Sequence, residues 1–318
     1  TVDPLPVVDA GADQAICIGG SATLGGAPTG PVGSTYAWDN AGSLDDATLA
    51  NPTATPAVTT TYTVTVTDGN GCSNTDQITI TVNPLPTVDA GVDQTICEGE
   101  NATLGGAPTG PAGATYAWDN AGSLDDATSA NPTATPTVTT TYTVTVSNGS
   151  GCSDTDQITI TVDPLPNVDA GADQSICSGG SVSLGGAPTS TTAGATYAWD
   201  NAASLDDATI ANPTATPTAT TTYTVTVSHP NGCTATDQIT ISVGSLPDVD
   251  AGADQTICSG ESATLGGSPT STTAGVSYNW DNAASLDDAT LANPTATPTV
   301  TTTYTVTVSD GSGCIDTD

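Results

Sequence analysis

Residues 141–162 read Thr141-Tyr142-Thr143-Val144-Thr145-Val146, then Ser147-Asn148-Gly149-Ser150-Gly151-Cys152-Ser153-Asp154-Thr155-Asp156, then Gln157-Ile158-Thr159-Ile160-Thr161-Val162. Tyr142, Val144 and Val146 fall on one face of the first segment and threonines on the other. Ile158, Ile160 and Val162 repeat the pattern in the last. A period of two marks a half-buried antiparallel strand, and the Gly-Ser-Gly cluster between the segments is turn chemistry.

Working outward, Ala102-Thr103-Leu104 and Tyr116-Ala117-Trp118 are shorter strands separated by Gly105-Gly106-Ala107-Pro108. Thr133-Ala134-Thr135 lies between two prolines, which suits a sheet edge. Nowhere do apolar residues recur at i, i+3, i+4 and i+7 as in an amphipathic helix. Short strands with turns every 8–12 residues predict a β-sandwich.

This unit occurs four times. Cys17, Cys97, Cys177 and Cys258 recur at intervals of 80, 80 and 81, and Cys72, Cys152, Cys233 and Cys314 at 80, 81 and 81. Residues 22–66 differ from 102–146 only at Val32/Ala112, Ser34/Ala114, Leu49/Ser129 and Ala57/Thr137. A fixed period identifies an array, here of repeats at 1–83, 84–163, 164–244 and 245–318. Thr1-Val2 aligns with Thr81-Val82, and Thr317-Asp318 aligns with Thr75-Asp76, which Gln77-Ile78-Thr79-Ile80 follows. The expectation is a window on a longer array, its last repeat truncated before its final strand. Repeats three and four carry one extra residue in Thr189-Ser190-Thr191-Thr192-Ala193-Gly194 and its equivalent, which marks that segment as a loop. From Trp to the second Cys the spacing is 34 in every copy.

The 318 residues contain no Lys or Arg and 34 acidic side chains, for a formal charge of −34. Recognition of a phosphate backbone is excluded on that ground, and anionic membrane surfaces are disfavoured. No apolar run approaches the roughly 18 residues of a spanning helix. An 80-residue repeat without Phe or Met has little to build a core from. Eight cysteines fit one disulfide per repeat, Cys17–Cys72, Cys97–Cys152, Cys177–Cys233 and Cys258–Cys314, and an oxidising compartment.

Ala-Gly-Ala-Asp-Gln near the start of a repeat, Tyr-Ala-Trp-Asp in its third strand, Thr-Thr-Thr-Tyr-Thr-Val-Thr-Val late and Gly-Cys-Ser-Asp-Thr-Asp-Gln-Ile-Thr-Ile-Thr-Val at its end resemble the PKD-like and immunoglobulin-like repeats of large secreted Bacteroidetes surface proteins. The resemblance covers the whole chain. It implies an all-β tandem array of four immunoglobulin-like (PKD-like) antiparallel sandwiches, located outside the cell and serving adhesion or scaffolding. Tyr62, Tyr142, Tyr223 and Tyr304 resemble the tyrosine corner of such sandwiches. The cysteines depart from the family pattern, since each expected bridge would join two loops at one end of the domain.

Six aspartates in each of the first three copies and five in the fourth are candidate ligands for Ca²⁺, a hard cation that prefers oxygen. In repeat one they are Asp9, Asp13, Asp39, Asp45, Asp46 and Asp76. Their equivalents are Asp89, Asp93, Asp119, Asp125, Asp126 and Asp156, then Asp169, Asp173, Asp200, Asp206, Asp207 and Asp237, and in repeat four Asp250, Asp254, Asp281, Asp287 and Asp288. The competing reading is turn chemistry, because Asp-Asp-Ala-Thr is an Asx-turn sequence. Trp38, Trp118, Trp199 and Trp280 read as core, with sugar stacking the alternative. His229 occurs in one copy of four, which argues against catalysis or metal binding. Pro-Leu-Pro linkers predict a stiff rod that bends most at Gly244-Ser245-Leu246-Pro247.

These features favour a structural or adhesive array without enzymatic activity or a required cofactor. Its expected partners are neighbouring repeats, like chains in a filament, and surface glycans or proteins. Multivalent carbohydrate or protein binding, and a spacer in a secreted hydrolase, are the alternatives.

Overall fold

The structure, a computed structural model, describes residues 2–318. Thr1, on which part of the alignment at the start of the chain rests, lies outside the described residues. The chain divides into two compact units, the first ending at Asp163 and the second starting at Pro164, and each contains two immunoglobulin-like sandwiches.

Repeat one has six strands: β1 Gln14–Cys17, β2 Ala22–Thr23, β3 Thr35–Trp38, β4 Thr53–Ala54, β5 Thr60–Thr67 and β6 Ser73–Asn83. One sheet has the order β1-β6-β5-β3, and β2 pairs with β4 in the other. The period of two places the side chains. Tyr62, Val64 and Val66 of β5 and Ile78 and Ile80 of β6 are fully buried, and they meet Leu24 and Trp38 in one core. The threonines between them point outward, where Thr61 and Thr79 share a hydroxyl hydrogen bond of 3.0 Å across the sheet. Such cross-strand pairs hold the register on the wet face.

A turn of 3₁₀-helix, Ala41–Ser43, follows Asn40, whose φ of 52° is left-handed. Asn tolerates that region better than most side chains, and its amide also donates to Thr61 O at 3.0 Å. The turn carries Ser43 to the Tyr62 hydroxyl, 2.7 Å away, and the same contact recurs as Ser123–Tyr142, Ser204–Tyr223 and Ser285–Tyr304. Each corner tyrosine thus has a hydrogen-bond partner in the connection ahead of it. Gly25 is required here for space as well as for its φ of 89°, because an added Cβ would overlap Thr29, Ala50 and Asn51.

The pairing that places the first cysteine of each repeat is parallel. β1 runs alongside the far half of β6, with Gln14 opposite Ile80 and Cys17 opposite Asn83. Repeat two repeats this arrangement with β7 Gln94–Cys97, β8 Ala102–Thr103, β9 Thr115–Trp118, β10 Thr133–Ala134, β11 Thr140–Ser147 and β12 Ser153–Asp163, and Cys97 lies opposite Asp163. In repeat three Cys177 lies opposite Gly244. Repeat four, expected to stop before its final strand, instead forms the start of that strand, Ile315–Thr317, and Gln255–Cys258 forms no strand.

Candidate functional site at the repeat junctions

The parallel pairing sets the two cysteines of a repeat at opposite ends of it. Cys72 immediately precedes the 11 residues of β6, whereas Cys17 sits opposite the last of them. Eleven extended residues span about 35 Å, and a disulfide holds its Cα atoms only about 4–7 Å apart. The expected bridge Cys17–Cys72 is therefore geometrically excluded. Cys97–Cys152 and Cys177–Cys233 fail for the same reason, since β12 and Thr234–Gly244 also have 11 residues each.

The bonds run between repeats instead. Cys17 of repeat one is bonded to Cys152 of repeat two, with Cα atoms 5.6 Å apart and a sequence separation of 135. Cys177 of repeat three is bonded to Cys314 of repeat four, again at 5.6 Å and with a separation of 137, which also overturns the expected Cys258–Cys314. The free thiols are Cys72 and Cys258.

Each half of the bridge is held by its own local chemistry. On the leading side, Ile18 N–H donates to Asn83 O at 2.9 Å and Ser178 N–H to Gly244 O at 2.8 Å, which ties the cysteine-bearing strand to the end of the last strand. On the trailing side, the turn before the second cysteine is an Asx turn. Asn148 Oδ1 accepts from the N–H groups of Ser150 and Cys152, and its amide donates to Pro84 O at 3.0 Å. The junction peptide is thereby anchored to the turn that carries the sulfur. Asp68 and Asp310 accept in the same way in repeats one and four.

His229 occupies this turn position in repeat three and accepts from Asn231 N–H through Nδ1 at 3.1 Å. A turn role accounts for the single histidine.

The structure does not gather the aspartates. Among the described residues no three His, Cys, Asp or Glu side chains stand close enough to hold a metal ion, so the expected Ca²⁺ sites have no converging ligand set behind them. In repeat one each carboxylate instead serves a main-chain N–H. Asp9 accepts from Gly11, Asp13 from Thr79, Asp39 from Thr63, Asp46 from Thr48 and Asp76 from Ala10, all at 2.7–2.8 Å. Asp45 accepts from both Asp46 and Thr53 at 2.8 Å.

Hydrogen bonding to the charged form lowers a carboxyl pKa. The Thr53 N–H accordingly holds Asp45 below the usual carboxylate range, and the Thr133, Thr214 and Thr295 N–H groups do the same for Asp125, Asp206 and Asp287. The Thr48 hydroxyl lowers Asp46. Two anchors were not among the expected sites: Asp318, whose alignment with Asp76 pointed to it, takes the Asp76 role toward Ala251, and Asp248 holds the longer loop of repeat four. The Thr273 hydroxyl and Thr272 N–H keep Asp248 far below the ordinary range.

The tryptophans are core residues. Trp38 is 5% exposed and its indole N–H donates to Leu49 O at 3.0 Å, with equivalent bonds from Trp118, Trp199 and Trp280. Their ring faces are not available to a sugar.

A family model described as "Ig-like domain CHU_C associated" matches residues 85–164, which is one copy of the four. Among solved structures, a three-Ig fragment of titin is 12% identical, with 76% of this chain and 98% of that chain covered and a TM-score of 0.40. The N-terminal eight Ig domains of Down Syndrome Cell Adhesion Molecule are 15% identical, with 100% of this chain and 47% of that chain covered and a TM-score of 0.31. The human desmocollin-1 ectodomain is 12% identical, with 99% and 78% covered and a TM-score of 0.24. No curated protein matches the chain. Among the described residues no helix is long and apolar enough to cross a membrane.

Proposed function

We propose that this chain is the structural, adhesive repeat region of an extracellular bacterial surface protein, and that its immunoglobulin-like repeats form a stiff, covalently stapled rod. The Cys17–Cys152 bond carries the reading. A disulfide inside a domain stabilises that domain, whereas one between domains fixes how two domains are placed. Hinge motion at a bridged junction is restricted by two covalent connections, the peptide linker and the S–S bond. The bridge from Cys177 to Cys314 spans the Gly244 junction, so that junction is restrained as well.

A disulfide-bonded chain belongs in an oxidising compartment. The charge of −34 keeps like rods apart. Divalent cations act here as counterions that screen the carboxylates and let rods associate side by side. The repeats carry no catalytic step in this reading.

Small-angle scattering from the oxidised chain, with and without reductant, tests the rod. A rod-like profile that becomes flexible on reduction is expected. A freely jointed profile in the oxidised state would sink the proposal.

A further inference from the structure

Alternation along the two longest strands of a repeat gives it one face unlike the rest of its surface. Away from the core, β5 turns out Thr61, Thr63, Thr65 and Thr67, and the outward positions of β6 from Ser73 to Thr81 hold only Ser, Thr and Gln77. The outward positions of β11 and β12 from Thr141 to Thr161 follow the same rule around Gln157. Those of Thr221–Ser228 and Thr234–Gly244 do so up to Ser242, around Gln238. None of the 34 acidic side chains stands at these positions. The side chains are exposed or half-buried.

Elsewhere this chain has little to offer a copy of itself. Carboxylates only accept hydrogen bonds, and there is no Lys or Arg to donate to them. The hydroxyl face both donates and accepts. Thr61 and Thr79 share one hydrogen bond at 3.0 Å, Thr67 and Ser73 another at 2.9 Å, and Gln77 donates to Thr63 at 3.2 Å. Each hydroxyl pair spends one O–H internally and keeps the other, with lone pairs, for a second surface. A cationic partner would be drawn to the carboxylates instead. Strand addition beside the face is opposed as well. Where β3 and β1 leave β5 and β6 uncovered, Asp39 and Asp13 cap the Thr63 and Thr79 N–H groups, and charge at a sheet edge discourages pairing.

We infer that this hydroxyl face is the surface on which a second copy of the chain docks, sheet against sheet about a two-fold axis, when rods associate side by side. The four strands of the sheet have 4, 11, 8 and 4 residues. At roughly 3.3 Å per residue and 4.8 Å between strands, the face of one repeat covers about 400 Å². A stable interface buries about 800 Å² per partner, so one repeat falls short and two suffice. Repetition of a weak contact makes the association hold.

This inference rests on the reading of the chain as a structural fibre and names the surface by which fibres touch. The two separate in experiment, because a freely jointed chain can still associate and a stiff rod can stay monomeric.

Cys72 and Cys258 of the full chain are first capped with iodoacetamide, so that no new disulfide contributes. Sedimentation equilibrium at up to about 0.1 mM chain then reads association, in dilute buffer and at about 0.5 M salt, where the Debye length is only a few Å. Association should appear at the higher salt. Gln77→Glu, Gln157→Glu and Gln238→Glu together place a charge of nearly unchanged shape in the middle of each face. Closed between two sheets these charges are screened far less than in solvent, and they should weaken association at least about tenfold. The same number of charges in exposed turns outside the sheet, as Ala57→Asp, Thr137→Asp and Thr218→Asp, should change it by less than about twofold. Retention of the Cys17–Cys152 peptide pair and of the near-ultraviolet circular dichroism of the tryptophans shows that each variant has folded. Equal weakening by the two sets, no effect of the glutamates, or no association at either salt overturns the inference. Binding to cellulose beads that the glutamates abolish, without self-association, would assign the face to a glycan and overturns it too.

Discussion

Repeats two and four are close in sequence through most of their length and differ in the strand that closes the fold. In repeat two, β12 extends over 11 residues, and eleven buried side chains form one cluster with Tyr142 fully inside it. In repeat four the matching strand is Ile315–Thr317, the fully packed cluster is Trp280, Val306 and Val308, and Tyr304 is half-buried. Yet the pairing of Ala263 with Ala296, the Tyr304–Ser285 contact and the Trp280–Leu291 bond are all retained. Strand pairs and corner contacts that are complete within residues 263–309 survive. What depends on the far half of the last strand is the parallel strand that carries the leading cysteine. Closing the core and presenting the junction thiol are thus one structural event.

The largest expected break in that comparison comes from the bridge. Cys152→Ser should lower the stability of the two-repeat unit by about 5 kcal/mol, the chain-entropy contribution of a cross-link closing a loop this long, while Cys72→Ser should change it by less than about 0.5 kcal/mol, as surface substitutions do. Denaturant unfolding of both variants checks this. Next is the corner tyrosine. Tyr142→Ala should cost about 3–5 kcal/mol, and Tyr304→Ala less than about half of that, because cavity cost scales with how fully the side chain is enclosed.

Extending the chain after Asp318 with Gln-Ile-Thr-Ile-Thr-Val should narrow the gap between the repeats. Amides of Gln255–Cys258 would then exchange with solvent about 10- to 100-fold more slowly, as they acquire a strand partner. Unchanged exchange would show that the leading strand does not depend on the last one.

The smallest effect should be common to both repeats. Asp125 and Asp287 have carboxyl pKa values below the ordinary carboxylate value of 3.8 in the folded chain. Their contribution is complete above that value and is lost as pH falls through the lower, folded one. Asp125→Asn and Asp287→Asn should each flatten the loss of stability below about pH 4, and by similar amounts. Acid titration of the two variants followed by circular dichroism measures it.

Much of this fold was legible from period two and period eighty. Tyr142, Val144 and Val146 face the core, and the tryptophans are buried. The disulfide pairing was not legible, for a physical reason. A strict repeat keeps the same cysteine spacings whether each first cysteine joins its own repeat or the next one. Choosing between them needs the direction of a four-residue strand, Gln14–Cys17, and its parallel run along β6. One sequence-level signal was available. In a Greek-key sandwich the segment entering the second strand and the turn before the last strand lie at opposite ends of the domain, so the two cysteines should have been placed apart. The aspartates were ambiguous because a carboxylate that caps a loop and one that binds calcium can occupy the same sequence; the Asp-Asp-Ala-Thr turn reading accounts for Asp46 and its contact with Thr48.

The separation of 135 residues between Cys17 and Cys152 also determines how the chain answers to force. A pull along the first unit enters at Cys17 and leaves at Cys152 through the sulfur–sulfur bond, so everything between them is shielded from tension even if both sandwiches unravel. Reduction would release that hidden length, about 450 Å of extended polypeptide at roughly 3.3–3.6 Å per residue. In a pulling experiment on single molecules the oxidised chain should be nearly inextensible, and the same chain in reductant should lengthen stepwise. Redox state, rather than domain stability, would then set its elasticity.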